Sequence, residues 1–242
     1  MDNIFVRNIF AAVFDKKVLD PILEILKAGQ KARPFSGRKS GTRSGLGLDN
    51  VRFWGTEGTV EYLKQKGFKA NSVVSGFDFD GRVKTLDRKV FAAILADRSK
   101  RKHLSELKKL ARYTSEVDFD SSEVNKLGVS GLTPGVESGS HLEDTPGVGD
   151  WQPFDLVIVN LYPLDKKNFP ESMDIGGQAL IRAAIKNYKN VALAFDASSL
   201  ASLVRELIGS KGSTTLSFRK KQAQKAAEFI ASRGKLEDSL FI

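Results

Sequence analysis

The 242-residue chain is 41% hydrophobic, carries a formal charge of +9 and contains no cysteine, which excludes disulfides, thiol nucleophiles and thiolate metal sites. It has no run of eighteen apolar residues for a membrane helix and no secretory-signal layout at Met1–Ile4; its length allows one large domain or two small ones, and the lack of cysteine fits a cytoplasmic protein. Histidine occurs at His103 and His141 alone, one in a Lys-rich helix and one in a polar loop, which leaves proton chemistry to Lys, Tyr, Asp or Glu.

Ile9 to Phe14 is a short apolar run suited to a buried strand, and Asp15 can cap a following helix that carries Leu19, Ile22, Leu23 and Leu26 on one face. Residues 28–50 are rich in Gly, Ser and Arg and have no periodicity, so an exposed basic insertion is expected at 29–50. Lys27, Lys31, Arg33, Arg38, Lys39 and Arg43 crowd it, with Phe35 as its single ring. Base stacking uses several rings, so a solvated loop is favoured over an RNA-binding arm.

Val51-Arg52-Phe53-Trp54 reads as a second strand, followed by Gly55-Thr56-Glu57-Gly58-Thr59 and a helix with Val60, Leu63 and a C′ glycine at Gly67. Strand, small hydroxyl-bearing turn and helix is how mononucleotide folds cradle phosphate, and an ordinary tight turn fits equally well. Phe68 to Val74 is a candidate third strand. In Gly81-Arg82-Val83-Lys84-Thr85-Leu86, an extended chain points Arg82 and Lys84 to one side, where either an anion or solvent relieves their repulsion. Lys100 to Arg112 reads as an exposed basic helix. Residues 113–150 turn acidic and rich in Ser, Gly and Pro, as expected of a surface excursion.

Asp155 to Pro163 is apolar in the manner of a parallel strand covered on both faces, with Asn160 and Tyr162 at its carboxyl end, where open α/β sheets place ligands. Met173 to Asn187 then runs from an acid and two glycines into helix formers. Glycine N–H groups at a helix start can hold a developing oxyanion, and a plain turn is the simpler reading. Val191 to Phe195, a helix with Leu200, Leu203, Val204 and Leu207, and a last helix from Phe218 to Arg233 complete the alternation. The expected fold class is α/β, a parallel sheet with helices on both faces.

Gly81 to Leu86, Val159-Asn160-Leu161-Tyr162-Pro163 and Asp174 to Asn187 resemble the IMP cyclohydrolase domain of the bifunctional purine biosynthesis protein. Weaker agreement covers Asp15-Lys16, Thr56 to Thr59, Phe91 to Leu95 and Phe218-Arg219-Lys220-Lys221. The resemblance implies a three-layer, mostly parallel, Rossmann-like sheet of the methylglyoxal-synthase-like kind, as one domain without the formyltransferase domain. It implies ring closure of 5-formamidoimidazole-4-carboxamide ribotide to inosine monophosphate (IMP) with loss of water, and no metal or other cofactor. The partners implied are that phosphorylated substrate and IMP, a separate formyltransferase and a second copy in a homodimer, with no membrane or nucleic acid.

Carried over by position, Asp15, Lys16, Thr56, Glu57, Gly58, Thr59, Arg82, Val83, Lys84 and Thr85 are similar to the phosphate and ribose contacts. Lys84 and Tyr162 are similar to the proton-relay pair, Asn160 and Asp174 to contacts with the base or its carboxamide, and Lys186 to a proton donor or acceptor. The N–H groups of Ile175, Gly176 and Gly177 would hold the formyl oxygen. A continuous helix would set Lys186 about 18 Å from Asp174. Either the glycines bend the chain, or Lys186 serves another part of the site or a neighbouring subunit. The departures from the pattern are Ala12 and Phe14 for hydroxyls, Lys17-Val18 for Thr-Gly, Glu57 for a glycine, Asp87-Arg88 for His-Pro and Phe91 for a His. They keep a rival open, a catalytically silent nucleotide-binding protein in which the Glu57 carboxylate repels phosphate.

Overall fold

The computed structural model describes residues 3–31, 48, 51–73, 85–112 and 151–241. The acidic excursion, most of the basic insertion, and Arg82, Val83 and Lys84 lie outside the described residues. Two parts of the expected insertion belong to the folded body instead. The first helix runs on to Lys31, and Leu48 is fully buried in the core.

Period-two alternation assigns each strand residue to one of two cores. In β2 (Asn8–Val13), Ile9, Ala11 and Val13 enter one apolar cluster and Phe10 the other. β5 (Leu156–Asn160) divides likewise, with Leu156 and Ile158 on one side and Val157 and Val159 on the other. With both faces covered, the strands are the near-continuous apolar runs that a parallel sheet demands. They join β3 (Arg52–Gly55), β4 (Ala70–Ser72) and β6 (Ala192–Ala194) in a five-stranded sheet of order β4-β3-β2-β5-β6, every pairing parallel. One face is closed by α1 (Asp20–Lys31), α2 (Glu57–Gln65) and α6 (Ala197–Gly209). The other is closed by α3 (Arg88–Leu95), α4 (Arg101–Arg112), α5 (Ile175–Lys186) and α7 (Leu216–Asp238).

Some elements lay below the reach of local pattern. β1 (Asn3–Phe5) and β7 (Ser213–Thr215) form a separate antiparallel ribbon of three residues each, too short for periodicity to declare. α3 begins at Asp87, whose carboxylate accepts from the Lys89 and Val90 N–H groups at 2.7 and 3.1 Å. The departure at Asp87 therefore supplies a helix cap.

The amino end of the sheet is locked by Asp155, 3% exposed. One carboxylate oxygen accepts from the Arg7 and Asn8 N–H groups at 2.8 and 2.7 Å, and the other lies 2.5 Å from the Arg98 guanidinium. The opposite, carboxyl end is freer. The chain leaves central β2 for β3 and β4 on one side and later fills β5 and β6 on the other. The crevice above the carboxyl ends of β2 and β5 is thus a topological switch point, the position at which open α/β sheets bind ligands.

Candidate functional site at the carboxyl edge of the sheet

Past Val13, β2 emerges into Phe14, Asp15 and Lys16. The Lys16 ammonium donates to the Val13 and Phe14 carbonyls at 3.0 and 2.9 Å, which leaves one of its three donors free of protein partners among the described residues. It stands beside the start of α2, 3.9 Å from where a Gly58 Cβ would be. Thr56, the N-cap residue of α2, makes no side-chain cap bond, and its hydroxyl lies 3.2 Å from that of fully buried Thr59. A cation, a hydroxyl and a helix start with open N–H groups form an anion-binding arrangement. Glu57 is exposed on the first turn of the same helix.

Asn160 ties the two strand ends together. Its carbonyl accepts from the Phe14 N–H at 3.1 Å and its side-chain oxygen from the Asp15 N–H at 3.0 Å. The Asp15 carboxylate turns inward to accept from the Lys17 N–H at 3.0 Å, capping a 3₁₀ turn. Asp15 thus helps shape the turn that carries Lys16.

The glycine pair does not bend the chain. α5 is continuous, Asp174 is its N-cap, and both glycines lie within its first turn. They are there for closeness: a Cβ on Gly176 would overlap the Thr85 hydroxyl, and one on Gly177 would overlap Leu161 and come within 2.6 Å of Asp174 Oδ2. This approach brings Thr85, the one described residue of the Arg82–Thr85 motif, against the start of α5. The Gly177 N–H, expected among the oxyanion donors, is taken by Asp174 Oδ1 at 2.6 Å, whereas those of Ile175 and Gly176 carry no protein partner among the described residues.

Asp174 also reaches across the crevice, its Oδ2 accepting from the Tyr162 N–H at 3.4 Å. Burial pushes its carboxyl above the ordinary value, against the pull of the Gly177 and Tyr162 N–H groups and of Arg233. Behind it lies a network that no local pattern announced. Gln178 and Arg233 donate to the buried Glu237 carboxylate at 2.7 and 3.3 Å, and Arg233 also donates to the Tyr162 carbonyl at 2.7 Å. The Tyr162 peptide is thus held from both sides while its side chain is 54% exposed.

Lys186 ends α5 on its exposed side, about 18 Å of helix rise from Asp174. One chain therefore gathers Lys16, Thr56, Thr59, Thr85, Asn160, Tyr162, Asp174 and the first turn of α5 at one edge, and leaves Lys186 at the other.

Fold and edge together define an open parallel α/β protein of the methylglyoxal-synthase-like kind, with the start of α2 beside a lysine and the capped start of α5 at the same end of the sheet. No protein-family model matches the chain. It is 32% identical over 194 residues to the bifunctional purine biosynthesis protein PurH of Clostridium kluyveri, covering 75% of this chain and 31% of that protein. PurH of Rhodopirellula baltica is 31% identical over 201 residues, covering 78% and 31%, and that of Acetivibrio thermocellus 33% over 175 residues, covering 67% and 26%. The chain is thus a relative of PurH that spans about 31% or less of the length of these proteins. A solved structure described as ForH matches with a TM-score of 0.60 at 22% identity, over 98% of this chain and 99% of that one, a likeness of fold.

Proposed function

We propose that this chain is an IMP cyclohydrolase of purine biosynthesis, closing the ring of 5-formamidoimidazole-4-carboxamide ribotide. The observation that carries the reading is the meeting of Asp174, Tyr162, Thr85 and the start of α5 across one crevice from Lys16 and the start of α2. The sequence relation to PurH supports the same reading.

The reaction is intramolecular, so the protein has mainly to hold two arms together and move protons. The 5′-phosphate sits at the free Lys16 donor, the Thr56 hydroxyl and the first N–H groups of α2. The carboxamide nitrogen attacks the formyl carbon and forms the new C–N bond. The formyl oxygen takes up negative charge at the Ile175 and Gly176 N–H groups. Asp174, its basicity raised by burial, accepts a proton from the attacking nitrogen. Tyr162, with Lys84 one residue before Thr85 in the chain, returns that proton to the oxygen to give a hydroxyl on the new ring carbon. A second proton, equal in number to the one the formamide nitrogen gives up, then reaches the hydroxyl, the C–O bond breaks as the ring C=N forms, and water leaves. Asn160 holds the carboxamide. A role for Lys186 in this step requires the α5 of a neighbouring copy, since its own Asp174 lies a helix length away.

A silent nucleotide binder is the second reading, favoured by Glu57 on the first turn of the helix that would hold phosphate. The test is to incubate the purified chain with the formamido ribotide and follow IMP by chromatography. IMP formation that is lost in Lys84→Ala and reduced in Tyr162→Phe supports the cyclohydrolase. Absence of turnover with IMP still bound leaves the silent binder, and absence of both removes the two readings.

A further inference from the structure

Among the described residues, four of the eight exposed large apolar side chains, Phe14, Leu86, Tyr162 and Ile175, belong to the segments that frame the carboxyl edge of the sheet, and Phe5, Ile208, Leu236 and Phe241 lie elsewhere. Two of those at the carboxyl edge form a pair. The rings of Phe14 and Tyr162 lie 5.0 Å apart at 53°, 47% and 54% exposed, although an apolar core lies just beneath at Val159 and Leu161. An aromatic side chain that finds no place in an adjoining core presents a face to whatever enters the crevice.

The backbones under both rings are pinned. Phe14 donates its N–H to the Asn160 carbonyl at 3.1 Å and accepts the Lys16 ammonium on its own carbonyl at 2.9 Å. Tyr162 donates to Asp174 at 3.4 Å and accepts from Arg233 at 2.7 Å. The pair therefore bridges the cation at one end of the crevice and the carboxylate at the other. A ligand with an anionic group at Lys16 and a polar group at Asp174 would pass beside two residues whose rings are paired and about half exposed.

We infer that Phe14 and Tyr162 form an aromatic shelf that stacks the planar base of a nucleoside monophosphate, and that Phe14 sets the preference for a base-bearing ligand over a bare sugar phosphate. The inference rests on the nucleotide reading of the site and adds to it a residue that stands where the resemblance leads one to expect a hydroxyl. Stacking recognises a π-face and tolerates different bases, so imidazole and purine ribotides both fit the shelf.

The experiment is calorimetric titration of the whole chain with IMP and, separately, with ribose 5-phosphate, in wild type, Phe14→Ser and Phe14→Trp. Phe14 is exposed, so both variants should fold, as circular dichroism will verify. Phe14→Ser is expected to weaken IMP by about ten-fold or more, to leave ribose 5-phosphate unchanged, and Phe14→Trp to keep the IMP affinity. Equal IMP affinity in wild type and Phe14→Ser overturns the shelf and leaves the nucleotide site standing, as does an equal loss for both ligands. A wild type that binds neither ligand overturns the nucleotide reading itself.

Discussion

Arg233→Ala is the substitution with the best-defined consequence. Arg233 and Glu237 face each other one helical turn apart, with side chains 12% and 10% exposed, so solvent screens the pair little. Removing the guanidinium leaves the Glu237 carboxylate to the Gln178 amide at 2.7 Å and frees the Tyr162 carbonyl that Arg233 had held at 2.7 Å. Breaking one partner of a buried ion pair costs about 3–5 kcal/mol, because the remaining charge keeps its desolvation penalty and loses its attraction. For a domain of this size each kcal/mol moves the melting midpoint by about 2–4 °C, so a fall of roughly 6–20 °C is expected. Urea unfolding should show the midpoint falling with the slope unchanged. The double variant Arg233→Met with Glu237→Met removes both charges and should recover most of the loss. A single-variant loss under about 1 kcal/mol, or a double variant as unstable as the single, refutes the buried-pair account.

Gly177→Ala brings a Cβ within 2.6 Å of Asp174 Oδ2 and into Leu161, so urea unfolding should show a loss of about 1–3 kcal/mol, with a matching fall in turnover as the Asp174 cap shifts. Lys16→Met removes the ammonium from the start of α2, and titration should show IMP weakened by about 10-fold to 100-fold while inosine, which has no phosphate, is unaffected. The Asp174 carboxyl sits above its ordinary value through burial, so between the unfolded and folded values the native state holds more protons and stability falls as pH rises. Melting temperatures of wild type, taken relative to Asp174→Asn, should therefore decline from about pH 4 upward. A difference that rises over that range contradicts the burial argument.

The sheet was legible because β2 and β5 are apolar on both faces, and that pattern survives without any knowledge of what covers them. Asn160 and Asp174 were legible as candidates because each lies directly at the end of a strand or the start of a helix, whereas Lys16 was indicated by the family resemblance alone. The purpose of the glycines was less so. From sequence they read as a turn before a helix, whereas they permit Thr85 and Leu161 to approach its first turn. Contacts across long sequence separations carry no local period, and these were missed: Arg98 with Asp155, 57 residues away, and Arg233 with Tyr162, 71 residues away. The helical spacing of Lys186 did state its problem in advance, and the unbroken α5 answers it within one chain.

The claim on which the whole account turns is the location of the ligand, above β2 and β5. A crystal structure of the chain with IMP tests it most directly. The account predicts the phosphate within hydrogen-bond distance of Lys16 Nζ, the base over Phe14 and Tyr162, and its polar edge at Asp174 and the start of α5. IMP seated elsewhere, with this crevice holding water alone, would contradict it.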